Sequence, residues 1–247
     1  SAERIQAELI KMLVSDRPEL LREAYELGIT KIFLPEFDRI MDTEQETPHH
    51  IYSVGEHTLH AMKNIRGDKV LRLTMLLHDM GKPALKTVDE EGVAHFKKHA
   101  AESCVITKRI LKRLKFDNDT LNKVSRLVYY HDYRMPAAAR NVRRAMNKIG
   151  EELFPLYMEV RRADVLAQST YLREEKIRNL DEIEELYREI RRMKQCVSLK
   201  DLAVNGRDLI EAGMSPGKEI GEKLKELLEL VIENPGLNDK KELLRRL

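Results

Sequence analysis

The chain of 247 residues has no tryptophan, and aromatic residues make up only 5% of it. Binding of single strands by stacking bases on aromatic platforms is therefore not expected. Cysteine is as scarce: Cys104 and Cys196 stand far apart on predicted helices. That usage reads as a reduced, cytoplasmic protein and excludes a disulfide framework. No apolar run approaches 20 residues and no signal peptide is legible at Ser1, so neither a helical membrane span nor export is expected. Nor is there a large excess of one charge. The 44 Lys and Arg residues nearly cancel 42 Asp and Glu, for a net +2, which does not by itself mark a nucleic-acid binder.

What the chain does have is charge in quantity, 35% of all residues. Much of it sits in helix-compatible rows with Leu, Ile and Met, which predicts an all-α fold. The length suits one or two domains and is ample for a sizeable core. Cations cluster locally. Arg134, Arg140, Arg143, Arg144 and Lys148 fall in one stretch without an acid. Lys108, Arg109, Lys112, Arg113 and Lys115 fall in another. Either could meet phosphates; for the second, a solvated helix face is the preferred reading.

The stretch 70–83, VLRLTMLLHDMGKP, organises the rest. Its first eight residues form an apolar helix. It ends in His78 and Asp79, followed by Gly81, Lys82 and Pro83. Gly81 and Pro83 predict that the helix stops there, leaving Lys82 to meet an anion. A buried imidazole and carboxylate need a partner or a metal, and together they suit a divalent ion.

Around it, residues 3–27 read as two helices broken at Ser15–Pro18, and 42–48 as a loop. Ser53 and Glu56 have the spacing of a capping box opening a helix that carries His57 and His60. Ordinary packing is preferred over ligation for His60 and for His49 and His50. Residues 84–94 form a polar excursion, and 95–114 one or two amphipathic helices on which His95 and His99 could share a face. A helix over 121–130 delivers His131 and Asp132. Another over 153–166 carries Asp164 between apolar neighbours, where an acid needs a partner; neither Arg161 nor Arg162 is expected to share its helical face. The helix over 181–195 is charge-laced, and the tail from Ser198 holds three short helices between Gly-marked turns.

His57, His78, Asp79, His99, His131 and Asp164 exceed the needs of one ion. They could hold two, with Asp79 bridging through its two oxygens. Paired metals suit phosphate-ester hydrolysis, because they lower the pKa of water from about 15.7 to about 7 and clamp phosphoryl oxygens. Lys82 would neutralise the same group.

In this order, His57, His78-Asp79 and Asp164 resemble the HD superfamily of metal-dependent phosphohydrolases. The resemblance implies that these four ligate a first metal and that His99 and His131 add a second. The ions could be Mn, Fe, Ni, Zn or Mg. Asp79 and Asp132 are then candidates for handling the proton of water, and Lys82 for binding phosphate.

A wider resemblance covers the whole chain. ERIQAEL, PHHIYSVGEHTL, RLTMLLHDMGKP, HFKKHAAES, LVYYHD, RRADVLAQS and VNGRDLIEAGMSPGKEIGEKL look like the C-terminal part of bacterial CCA-adding enzymes (tRNA nucleotidyltransferases) that carry an HD domain. It implies a neck-like segment over 1–45, an HD domain over 46–170, and a connector with a tRNA-binding-like tail over 171–247. The family's nucleotidyltransferase head, with its paired magnesium-binding Asp residues, has no counterpart in this sequence. The chain as given is thus not expected to add nucleotides. It is expected to be a fragment of a longer enzyme or a headless relative, and Ser1 in place of an initiator Met leans toward a fragment.

Three functions stay open. One is a phosphohydrolase acting on phosphate esters of RNA ends or nucleotides, of the 2′,3′-cyclic phosphodiesterase, 2′-nucleotidase or phosphatase class. The second is a tRNA-binding body with a structural or relic HD site, using Arg140, Arg143, Arg144 and Lys148. The third, a guanosine tetraphosphate or deoxynucleotide hydrolase, is disfavoured by the VNGRDLI segment.

Overall fold

The computed structural model describes residues 1–49 and 51–247; His50, one of the two adjacent histidines, lies outside the described residues. The fold is all-α. In chain order come α1 (Ala2–Val14), α2 (Leu21–Glu26), α3 (Thr30–Phe33), α4 (Pro35–Met41), α5 (Val54–Lys63), α6 (Lys69–Leu77) and α7 (Lys82–Leu85). A two-stranded antiparallel ribbon follows, β1 (Thr87–Val88) with β2 (Ala94–His95), pairing Thr87 with His95. Then come α8 (His99–Arg113), α9 (Asn118–Tyr130), α10 (Ala139–Ile149), α11 (Phe154–Ala167) and α12 (Arg173–Arg192). The chain closes with α13 (Gly206–Glu211), α14 (Lys218–Glu233) and α15 (Lys240–Leu244). Among the described residues, no helix is long and apolar enough to cross a membrane.

The chain divides into two compact units. The first comprises Ser1–Arg134 and Pro155–Arg178; the second comprises Met135–Phe154 and Asn179–Leu247. In the first, the neck-like segment and the segment after it share one core, with Leu13, Leu21 and Phe37 packed among Leu59, Met62, Leu76, Ile110 and Val124. The α6 helix is at its centre: every residue from Leu71 to Leu77 is buried. Even Arg72 is inside. Its guanidinium donates to the carbonyls of Leu13 at 2.7 Å and Ile65 at 3.0 Å, where the end of α1 offers oxygens that lack a helical partner.

Two pairs of helices matter most for position. The α5–α6 and α8–α9 pairs are each joined by a short link and run antiparallel. Each pair therefore brings the start of its first helix beside the end of its second. Ser53 caps α5 through the Glu56 amide at 3.2 Å. The other half of the expected capping box does not form, because the Glu56 carboxylate is taken by Arg22 in a two-pronged ion pair. The 95–114 stretch also differs from expectation. His95 lies on β2 and α8 begins only at His99, so the two do not share a helical face.

In the second unit, Leu209, Leu227, Val231, Ile232 and Leu243 form a separate core. Arg143 is buried there. It donates to the Ile232 carbonyl at 2.7 Å and the Glu233 carbonyl at 3.3 Å at the end of α14, and to Gln195 Oε1 at 2.9 Å. Its neighbour Arg144 pairs with Glu233.

Asp117 caps α9, accepting from the Thr120 amide at 2.8 Å and the Thr120 hydroxyl at 2.7 Å, and these bonds hold its carboxyl down to about 2. Loss of such a cap costs about 1 kcal/mol. The folded pKa lies below the unfolded one, so the contribution is present above about pH 4 and is lost as pH falls toward about 2. Asp117→Ala is thus expected to lower urea-unfolding stability by about 1 kcal/mol at pH 7, with the gap to wild type narrowing on acidification.

Candidate metal centre

His57 sits in the first turns of α5, and His78 closes α6 as its C-cap, with Asp79 next. His99 opens α8, and His131 closes α9 as its C-cap. Asp164 comes from the last turn of α11. The two antiparallel pairs and α11 bring all six together inside the first unit.

The ring orientations follow from local backbone. At the end of a helix the last carbonyls have no regular i+4 amide donor and accept from nearer groups instead. His78 Nδ1 reaches Met75 O at 2.6 Å, and His131 Nδ1 reaches Val128 O at 2.7 Å. His99 makes the same contact with Phe96 O at 2.8 Å, and His57 Nδ1 reaches Ala167 O at 3.3 Å. A carbonyl only accepts, so each Nδ1 carries a proton; in the neutral ring Nε2 then turns its lone pair inward, the tautomer a metal needs.

Inward, acceptors crowd acceptors. His57 Nε2 lies 3.3 Å from His78 Nε2, and His99 Nε2 lies 3.1 Å from His131 Nε2. Asp164 Oδ1 is 2.9 Å from His57 Nε2 and 3.8 Å from His78 Nε2. Asp79 spans both groups. Its Oδ2 is 3.1 Å from His78 and 3.8 Å from His57, and its Oδ1 is 3.3 Å from His99 and 3.6 Å from His131. Such contacts repel unless a proton or a cation is shared between them. The ligand atoms of His57, His78 and Asp79, and those of Asp79, His99 and His131, form two sets, each within 4.8 Å. Asp79 Oδ1 is buried and has no hydrogen-bond partner among the described residues. An orphaned buried carboxylate oxygen is costly, and it fits a cation at the second set.

The field is arranged to keep both carboxylates ionised. Burial alone would raise Asp79, but His78, Lys82 and His131 hold it well below the usual carboxylate range. Burial works against Asp164 too, and the His57 hydrogen bond, His78 and Arg161 keep it well below that range. Burial lowers His131, while for His78 the same burial is outweighed by Asp79 and Asp164, which raise it.

Several placements differ from sequence expectation. Lys82 is not free. It opens α7, is buried, and pairs with Asp79 Oδ2 at 2.7 Å and Gln45 Oε1 at 2.8 Å. Arg161 does share a face with Asp164: it lies three residues earlier, 3.6 Å from Oδ2, and donates to the His131 carbonyl at 3.0 Å. Asp132 is half-exposed and held by Arg134 at 2.9 Å. His60 stacks on Tyr52 with ring centroids 4.2 Å apart. His49 packs edge-on to Tyr171 and meets Lys176 Nζ at 3.2 Å.

Two supporting residues are not marked by sequence pattern in the way the six ligands are. Gln168 donates to Asp164 Oδ2 at 3.0 Å, turning Oδ1 inward; it lies just past the end of α11, and its spacing of four from Asp164 is the sequence signal for this contact. Gln45 anchors Lys82 from a loop, where no periodicity marks it. Over the cluster lies an open cavity of about 350 Å³, with Asp79, His99, His131 and Asp164 at its floor.

The fold and the cluster thus define an all-α protein with a candidate two-ion site of histidines and aspartates. Comparison with known families places it further. The family described as "tRNA nucleotidyltransferase domain 2 putative" matches residues 93–247, and the chain belongs to that family. A second family, "Probable RNA and SrmB- binding site of polymerase A", matches residues 1–41. The chain is 29% identical to the CC-adding tRNA nucleotidyltransferase of Thermus thermophilus, over 94% of its own length and 53% of that protein. It is 28% identical to the A-adding tRNA nucleotidyltransferase of Deinococcus radiodurans, over 92% and 54%. With the multifunctional CCA protein of Actinobacillus pleuropneumoniae it shares 27% identity, over 54% and 34%. The chain therefore spans about half the length of the first two relatives.

Elemental analysis after loading with Mn²⁺ or Zn²⁺ tests the site directly. Wild type is expected to hold about two ions per chain. The His99→Ala, His131→Ala double variant is expected to hold one, and Asp79→Ala neither.

Proposed function

We propose that this chain is the tRNA-holding body of a tRNA nucleotidyltransferase-type enzyme. The observation that carries this is its likeness, over nearly its whole length, to proteins named as CC-adding and A-adding tRNA nucleotidyltransferases. Basic side chains on α10 suit a phosphate backbone: Arg140 and Lys148 are exposed and Arg144 is half-buried. Arg143 serves the second unit's own structure, because its guanidinium is spent on the end of α14. The remaining three would act by counterion release, without reading bases.

A second reading is favoured by one feature, the bridging placement of Asp79 with its orphaned Oδ1. It is a metal-dependent phosphohydrolase of the HD kind, acting on phosphate esters at RNA ends. The group it calls for is one or two divalent ions, which supply Lewis acidity to phosphoryl oxygens and acidify water. The chain's own residues supply the rest. His57, His78, Asp79 and Asp164 would hold one ion, and Asp79, His99 and His131 the other. Gln168 and Arg161 fix Asp164, and Lys82 fixes Asp79. Asp132, half-exposed at the cavity, is placed to take a proton from water entering there.

For the first reading, filter or fluorescence titration with tRNA over a salt series is expected to give a steep log–log slope. Arg140→Ala, Arg144→Ala and Lys148→Ala should each lower that slope by up to about 0.9. Affinity that does not change with salt overturns it. For the second, hydrolysis of a 2′,3′-cyclic phosphate and of a 2′-phosphate is expected with added divalent metal and is expected to fall to background in Asp79→Ala. Undiminished hydrolysis by chelated, metal-free protein overturns it.

A further inference from the structure

The mouth of the 350 Å³ cavity is built differently from its floor. The floor consists of buried imidazoles and carboxylates. The mouth carries Lys97, Lys98 and Arg134. Lys97 and Lys98 are exposed and make no ion pair or hydrogen bond with their side chains among the described residues. That sets them apart in a protein where most cations near the site are spent: Lys82 on Asp79, Arg161 on Asp164 and Lys176 on Gln168. Arg134 is turned toward the Asp132 carboxylate through Nε and Nη2.

Their placement is enforced. Lys98 adopts the left-handed conformation, φ 66° and ψ 14°, as the N-cap of the 15-residue α8, and no side chain caps that end. A non-glycine residue held there is strained by contact of its Cβ with the backbone. Serine, asparagine or aspartate would be the ordinary choice for a cap. The conformation ends the segment after β2 and starts α8 at once, so His99 reaches the floor while Lys97 and Lys98 stay at the mouth. The uncapped helix start adds positive potential on the same side. The anion expected here must satisfy two separate places: the floor, where ions would bind one phosphoryl group, and the mouth, where two unpaired ammonium groups face solvent.

We propose that Lys97 and Lys98, with Arg134 beside them, form a second anion subsite that holds the phosphodiester flanking the group bound at the floor. The site thereby selects an RNA end of two or more nucleotides over a mononucleotide. This deepens the phosphohydrolase reading and names its substrate class. The lysines are specificity-determining contacts for the neighbouring phosphate and take no part in bond cleavage. A ligand with one phosphate would satisfy the floor and leave the mouth to water.

The test compares equilibrium binding of a 3′-phosphorylated RNA trinucleotide and the matching 3′-mononucleotide to metal-loaded protein. Wild type, the Lys97→Ala, Lys98→Ala double variant and Asp79→Ala are compared, with metal content and hydrolysis of a 2′,3′-cyclic phosphate and a 2′-phosphate measured on each. Wild type is expected to prefer the trinucleotide about tenfold, the size of one or two charge-assisted contacts. The double variant is expected to lose that preference while its affinity for the mononucleotide and its metal content are unchanged. Its salt slope for the trinucleotide should fall by roughly 0.7 per lysine. Equal affinity of wild type for both ligands overturns the subsite, as does an equal loss for both in the double variant. The two readings separate cleanly. A lysine-dependent preference without hydrolysis leaves the subsite standing and removes the phosphohydrolase. Hydrolysis without any preference does the reverse.

Discussion

Asp79 turns its two oxygens toward two different pairs of imidazoles, Oδ2 to His78 and His57 and Oδ1 to His99 and His131. A buried carboxylate so placed must stay ionised, and burial opposes that. The surroundings are arranged to overcome the opposition. Lys82 is drawn inside to pair with it, Gln45 is drawn in to hold Lys82, and Phe96 places its ring 5.3 Å from the same ammonium. Gly81 is needed for the approach: a Cβ there would meet the backbone of His99 and Ser103 at 2.6–2.7 Å. The start of α8 thus packs directly on the turn that carries Asp79, and His99 is brought within reach of Oδ1.

The first unit repeats one device. A helix that carries a histidine near its start is followed by an antiparallel helix that ends in His-Asp. The α5–α6 pair yields His57, His78 and Asp79; the α8–α9 pair yields His99, His131 and Asp132. In both, the closing histidine turns its Nδ1 to the carbonyl three residues back, as helix-end geometry invites. The pairs part at the aspartates. Asp79 is buried at the junction of the two pairs, whereas Asp132 faces the cavity and Arg134. Of the two, Asp79 is the one that reaches both groups of imidazoles.

A tRNA-holding body and a phosphohydrolase are compatible on one chain, because they draw on different residues. Backbone recognition needs exposed cations and little else, and α10 in the second unit offers them. Hydrolysis needs the six inward-facing groups of the first unit. The two proposed roles would not share parts, and each unit has its own core. The Nε2 atoms that face each other at 3.1–3.3 Å in the cluster need a shared proton or a cation between them.

Helical periodicity by itself determined the all-α class, the position of most helices and the ends at which His78 and His131 are delivered. Those are local properties, governed by apolar spacing and by Gly, Pro and cap residues. The six candidate ligands were legible too, because a histidine or an acid embedded in an apolar helix must be paired or bound to a cation. What only the tertiary structure decided were the properties that depend on partners distant in sequence. Lys82 looked free although Asp79 lies only three residues before it, because the Gln45 that completes its burial comes from a loop 37 residues away. Arg143 looked like a phosphate contact because the carbonyls it closes lie some ninety residues away. The short ribbon before α8, too brief for any periodicity, cut His95 away from the helix that its spacing to His99 suggested. The expected place of Asp79 between two groups came from counting residues, but its distances of 3.1–3.8 Å to four imidazoles come from the packing of two helix pairs against each other, which no single stretch of sequence encodes.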